Sequence, residues 1–471
     1  VILNNLRLGD DVVDLRVEDG LIAEIGPNLG TGEDFADRWV SPGLWDHHVH
    51  FTQWTLTSQR IDLSAATSAR EAAAMAVGDG PASTALGTGL IIGANFRDAL
   101  WPDTPSREIL DATTGDVPAV LVSADLHSVW LNSAALQMYG FTGHPTGLLV
   151  EDEAFGVHEH LATVPVETVD SWARLAAEAA ARRGVVGIID LEMAWNVETW
   201  QRRIAAGHDS LRVEAAVYTQ DLDRAIDEKL YTGQSLDPLL TMGHFKVLTD
   251  GSLNTRTAYT WDAYEDGSHG MLTVPPETLL PLMRRASGAR IVPTVHAIGD
   301  HANTLALDAF EQLGIGGRIE HAQLLSESDY PRFAQLGVEA SVQPEHAMDD
   351  RDVSDAYWSG RTRRLYAFRS LLDAGATLLF GSDAPVSPLD PWVGIAAAVT
   401  RTRGNRPPWH PEQRITPAEA LAASTRTTVA VGQRADLVIT DHDPLTTDGE
   451  TLRTMPVAAT LVGGRFTHRV N

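Results

Sequence analysis

The sequence predicts an α/β protein: a (β/α)8 TIM-like barrel with a small β-sandwich built from both termini and a capping insertion after the first barrel strand. Three observations predict it. Short apolar runs alternate with helical patterns through the middle of the chain, as in the βα units of a parallel sheet. Both ends of the chain instead alternate apolar and polar residues with a period of two. Finally, the first two apolar runs are separated by residues 52–184, far too many for one crossover.

At the N-terminus, residues 12–17 and 21–25 flank a Glu18-Asp19-Gly20 turn and read as a hairpin. Near the C-terminus, residues 435–440 and 458–462, followed by a Gly463-Gly464 turn, read as further β segments. Neither pair is stable alone, so 1–41 and 424–471 are expected to form one composite β-sandwich around a barrel spanning 42–423. The barrel strands are expected at 44–51, 185–192, 211–218, 243–249, 290–296, 318–324, 338–343 and 377–382. Helices are expected between them, for instance at 169–183, 277–287, 301–313 and 368–374. Residues 55–165 leave the C-terminal end of strand one, where such a barrel carries its chemistry. They are expected to cap the mouth, with strand-like runs of their own at 90–94 and 119–124.

Composition narrows the function. The 471 residues carry a net charge of −27 and 44% are apolar, so a large core forms and an acidic surface repels nucleic acid and anionic membranes. There is no cysteine, hence no disulfide, thiolate-held metal or thiol nucleophile. No 18-residue apolar run or signal-like start is found, and a cytoplasmic location is expected. The expected partner is a small-molecule substrate, and a homodimer is the base-rate assembly.

The chemistry begins at Asp46-His47-His48-Val49-His50. On a strand, His48 and His50 project to one side, as a metal pair requires, and His47 to the other. Other ligand-capable residues fall near the C-terminal ends of further strands: Lys246 on four, His296 on five, His321 on six and Asp383 on eight. Singly each reads as a packed histidine or a capping carboxylate; jointly they read as a site. Lys246 is one of only two lysines, against 34 arginines, and sits in an apolar strand. It either reaches solvent or is kept for its amine. A desolvated amine is nucleophilic and can capture carbon dioxide as a carbamate, which an arginine cannot.

These residues resemble the amidohydrolase superfamily of metal-dependent hydrolases, along nearly the whole chain. The supporting motifs begin at Lys246 (Lys-Val-Leu-Thr-Asp-Gly-Ser), His296 (His-Ala-Ile-Gly-Asp-His-Ala), Ile319 (Ile-Glu-His-Ala), Ser341 (Ser-Val-Gln-Pro) and Gly381 (Gly-Ser-Asp-Ala-Pro-Val). They look closest to the branch that contains N-substituted formamide deformylases. The resemblance implies two divalent ions, usually zinc, one on His48, His50 and Asp383 and the other on His296 and His321. Lys246, carboxylated by carbon dioxide, would bridge them. It implies C–N bond hydrolysis of an amide, N-formyl amide or cyclic amide by metal-activated hydroxide, with Asp383 as general base and then acid. Ala384 stands where relatives commonly carry Trp, and the link from 421–425 to 431–437 is shorter than usual.

Substrate contacts are read from three positions: His127, in a cap segment resembling a His-Ser-x-Trp-x-Asn-Ser motif of the branch; Arg256, just after strand four; and Gln343, at the end of strand seven. His127 is equally a structural cap histidine, and Arg256 with Asp250 equally an ion pair of the loop. Trp45, Trp54 and Trp101 either line an apolar pocket or pack. The rival activity is a deaminase of the same superfamily, although no Glu follows His296 at the His-x-x-Glu spacing. A non-catalytic scaffold or a metal-dependent isomerase or decarboxylase completes the alternatives.

Overall fold

The computed structural model describes residues 1–78, 89–161 and 164–470. Residues 79–88, 162 and 163 of the expected cap and residue 471 of the expected sandwich lie outside the described residues.

Eight parallel strands follow one another around a barrel: Leu44–Val49, Val185–Asp190, Arg212–Tyr218, Leu240–Leu248, Pro293–Ala297, Gly317–His321, Val338–Val342 and Leu378–Phe380. Each matches one of the predicted runs. Strand four starts earlier than its apolar pattern suggested, because Ser235–Asp237 folds back and pairs antiparallel with it. The barrel closes between strands eight and one. There the Asp383 N–H donates to the His48 carbonyl at 2.7 Å and the His50 N–H to the Ala384 carbonyl at 2.9 Å. The helices Val166–Ala181, Pro276–Gly288, Asp300–Leu313 and Phe368–Asp373 pack outside the strands, near the predicted positions.

The terminal segments form one seven-stranded sheet rather than two separate ones. Ile22, from the strand Leu21–Gly26 at one edge, and Leu461, from the strand Val457–Val462 near the other, share a single apolar cluster, so the sheet curls over its own core. It meets the ends of the barrel strands opposite the mouth. Asp436, 2% exposed, takes a two-pronged ion pair from Arg212 (2.7 and 3.0 Å) at the start of strand three and the Gly463 N–H at 2.7 Å.

After strand one the chain enters the helix Phe51–Thr57 and then a separate five-stranded sheet, Ile61–Asp62, Ile91–Phe96, Ala119–Ser123, Ser128–Leu131 and Leu148–Val150. Its core is its own, with Trp130, Phe96 and Leu121 on one face and Val122, Val129 and Leu149 on the other. Among the described residues no helix is long and apolar enough to cross a membrane.

Removing the Asp436 carboxylate strands the Arg212 charge in a largely buried joint. Asp436→Ala is expected to lower unfolding free energy by about 3 kcal/mol, the scale for breaking one side of a buried pair. Urea denaturation measures it, and a change near zero would show that the apolar contacts alone hold the sheet to the barrel.

Candidate active site

The C-terminal ends of the barrel strands bring five predicted side chains and a lysine into one cluster. The His48 ring lies 5.5 Å from His50 and 5.1 Å from His321, and His321 lies 4.6 Å from His296, centroid to centroid. Asp383 Oδ1 is 3.2 Å from His48 Nε2 and 3.4 Å from His50 Nε2. Ligand-capable atoms of His48, His321 and Asp383 all fall within 4.8 Å of one another. Lys246 is 2% exposed and lines the same cavity. His47 is turned away: its Nδ1 lies 3.0 Å from the Phe380 carbonyl and its Nε2 3.3 Å from Arg426 Nε. The strand-one ladder is irregular at this point. Two steps of strand two, from Ile188 to Asp190, oppose three of strand one, from Asp46 to Val49. Such a bulge re-aims side chains beside a site.

The donor set fits divalent metal. Lys246 Nζ, His50 Nδ1, His296 Nε2 and His321 Nδ1 are buried without a hydrogen-bond partner. Buried polar atoms are rarely left unpaired, at a cost of about 1–3 kcal/mol each. Here four such residues line one cavity. Burial pushes His296 and His321 below the usual imidazole range, which favours the neutral, ligating form. Burial also pulls Lys246 down to about 8. It would raise Asp383, but His48 and His50 outweigh it and hold that carboxylate well below its usual range. Imidazole, carboxylate and amine donors without sulfur suit zinc and its neighbours.

A model described as Amidohydrolase family matches residues 32–468. The chain belongs to the amidohydrolase family. It is 30% identical to protein LONG AFTER FAR-RED 3 of Arabidopsis thaliana, over 82% of this chain and 73% of that one. It is 25% identical to N-substituted formamide deformylase of Arthrobacter pascens, over 92% of this chain and 88% of that one. Among solved structures, an uncharacterised metal-dependent hydrolase of Pyrococcus horikoshii superposes with a TM-score of 0.77 at 25% identity, covering 95% of this chain and 99% of that one.

In this amidohydrolase Glu320 carried no assignment from sequence, and Asp250 only a reading paired with Arg256. Glu320, fully buried, accepts from His48 Nδ1 at 2.8 Å and from the Thr294 hydroxyl at 2.8 Å, so it sets the tautomer and tilt of His48. It lies within the Ile-Glu-His-Ala motif, and its place beside His321 in that motif was the available signal. Asp250 accepts the N–H groups of Ile298, Gly299 and Tyr259 and stands 3.4 Å from His296 Nε2. The paired reading of Asp250 with Arg256 as an ion pair does not hold. Arg256 is exposed, over the Tyr357 ring at 5.4 Å, and is not among the residues lining the cavity. Gln343 is buried with its amide 3.3 Å from His48 Nδ1, and it too is not among the lining residues. The three tryptophans pack: Trp45 against Val186 and Val462, Trp54 on Phe51, Trp101 on Phe96.

His127 does reach the cavity from the cap, its ring 6.4 Å from that of His296. Glu151 accepts from its Nδ1 at 2.9 Å. Burial opposes charge on His127, yet Glu151 lifts its pKa to about 9. Burial would raise Glu151, but His127 and the hydroxyls of Thr257 and Thr255 bring it to about 2. The same Glu151 oxygen that takes Thr255 (3.0 Å) and Thr257 (2.6 Å) ties the cap to the loop after strand four.

Glu320→Gln keeps volume and removes the charge that orients His48. Metal retention in competition with a chelator is expected to weaken about 10- to 100-fold. Undiminished retention would mean His48 is oriented by its other contacts.

Proposed function

We propose that the chain hydrolyses a C–N bond in an amide, N-formyl amide or cyclic amide at a two-metal site on His48, His50, Lys246, His296, His321 and Asp383. The single observation that carries this reading is the unpaired, buried Lys246 amine among four imidazoles and a carboxylate. Among the described residues no neighbour hydrogen-bonds that amine, and Glu320 and Asp383 act on it only through their charge. Carboxylation by carbon dioxide would convert it into an anionic ligand for a divalent pair, which an arginine could not become.

A divalent pair, most simply zinc, would supply Lewis-acid polarisation of the scissile carbonyl and a lowered pKa for water. The protein's own residues do the rest. Asp383, held ionised, takes the proton from water and passes it to the leaving nitrogen. Glu320 keeps His48 oriented throughout. His127, fixed by Glu151, presents its free ring edge to a substrate oxygen from above.

The cavity supports a small-molecule substrate. It encloses about 950 Å³, at the upper end for drug-sized ligands. Phe96, Leu100, Phe155, Val166 and Val169 give it apolar walls under the cap, so a bulky apolar substituent on the amide fits best. The formamide activity of the Arthrobacter relative is one member of this class. The deaminase alternative lacks its carboxylate: Asp300, at the nearest spacing after His296, is taken by the Trp261 N–H and by Arg364.

Elemental analysis of protein purified without chelator is expected to give about two equivalents of transition metal, falling to about one or none in Lys246→Arg, which keeps charge but cannot be carboxylated. Screening N-formyl, N-acyl and cyclic amides for amine release or ring opening tests the reaction. Absence of turnover across all three by metal-replete protein would remove the amide reading. With an active substrate, Asp383→Asn should cut kcat about 10²- to 10⁴-fold in protein that retains its metal. A defect confined to KM would assign the proton transfer to another group.

A further inference from the structure

Strand seven brings no member of the cluster to the mouth, since Gln343 turns toward His48. The segment after it brings a different ring. His346 opens the one-turn helix His346–Asp349, lines the cavity and is 6% exposed. Its ring lies 6.3 Å from that of His321 and nearly parallel to it, at 20°.

The backbone around His346 is fixed. Its N–H donates to the Gln343 carbonyl at 3.1 Å, and its carbonyl accepts from Asp350 at 2.7 Å. Asp350 is in turn held by the Tyr366 hydroxyl at 2.6 Å and the Gln323 amide at 3.3 Å. The nearby Asp349 carboxylate is taken by Arg97 and Arg403. Yet within the described residues the His346 ring makes no hydrogen bond, and its Nε2 is wholly buried. A ring on a fixed backbone, at the wall of a cavity and with no hydrogen bond from either nitrogen, is suited to receive a bound molecule. The unpaired atoms of His50, Lys246, His296 and His321 belong to the proposed ligand set, and those of Asn196 and Arg203 lie on the helix after strand two; His346 stands beside His321 and outside that set.

We propose that His346 is a further catalytic residue, which hydrogen-bonds the scissile group of the substrate from the strand-seven side of the mouth. The proposal rests on the amide-hydrolase reading. A ring beside His321 meets whatever sits over the cluster, and its partner there is a polar atom of the substrate.

The test compares His346→Ala, His346→Asn and His346→Gln in metal-replete protein. The asparagine amide stands near the position of Nδ1 and the glutamine amide near that of Nε2. With an amide that the wild type cleaves, His346→Ala is expected to lose about 10- to 100-fold in kcat/KM. One of the two amide variants should regain much of that loss, with metal content and thermal midpoint unchanged. Wild-type kcat/KM in His346→Ala overturns the proposal. So does loss of a metal equivalent, which makes His346 a ligand, or a lowered thermal midpoint with no rescue by either amide, which makes it structural. If the wild type cleaves no amide, the reading of the reaction fails separately. Binding of methylphosphonate, a tetrahedral mimic, to wild type and His346→Ala then decides the residue: weakening by about 10-fold supports a contact at the reacting centre, and equal affinity removes it.

Discussion

The barrel closes where strand eight runs against strand one, and the cluster depends on how tight that approach is. A Cβ on Gly381 would fall 2.5 Å from His48 Cβ and 2.6 Å from its backbone nitrogen, closer than any side chain tolerates. With glycine there, the backbones lace together just beyond, and the Asp383 carboxylate arrives within 3.4 Å of both strand-one imidazoles. The turn that follows is not relaxed. Asp383 has φ +56° and His321 φ +74°, left-handed conformations that cost a non-glycine residue about 1 kcal/mol or more. The hydrogen bonds of closure hold Asp383 in that conformation, and His321 adopts its own at the end of strand six.

The same closure excludes water, and exclusion sets the electrostatics. A lysine in water keeps its proton and is a poor nucleophile; burial brings Lys246 to about 8, where a useful fraction of free amine exists near neutral pH. Burial favours the neutral form of His296 and His321, while His48 and His50 hold Asp383 ionised. The cost is a set of buried donors and acceptors with nothing to bond. Stability and function therefore oppose each other locally, and a ligand that satisfies the cluster also stabilises the fold by mass action.

Much of this was legible in the sequence, for identifiable reasons. All eight barrel strands were found because strands buried on both faces read as continuous apolar runs bounded by helical patterns. His48, His50, Lys246, His296, His321 and Asp383 were singled out because a barrel gathers side chains at one end of its strands, and the structure brings them to one cavity. The two-residue period alone was an incomplete guide on strand one, where a bulge intervenes and His50 lies one residue past the strand. Residues whose role depends on a partner distant in sequence were missed or misassigned. Glu320 meets His48 272 positions away, and Glu151 meets Thr255 and Thr257 across the joint of cap and barrel. Gln343 was expected at the cavity and instead stands beside His48, since a residue just past a strand end can turn either way. His346 lies in a loop whose path no periodicity describes.

The placement of these groups divides the labour of the molecule. The barrel strands, fixed by long ladders, carry the residues whose spacing must be exact to a few tenths of an ångström. The cap carries the apolar walls and His127. It is joined to the barrel by polar contacts: Glu151 on Thr255 and Thr257, and Asp125 accepting from Ser252 at 3.0 Å. All three hydroxyls belong to the loop that leaves the strand of Lys246. A change in that loop therefore acts on both layers at once, moving the cap's histidine relative to the lysine. Changes in the apolar wall act within the cap, since Phe96 packs on Trp101 and Trp130 and Phe155 on His127. The wall residue Leu100 is exposed and lies outside that packing, whereas the hydroxyl loop is constrained from both sides.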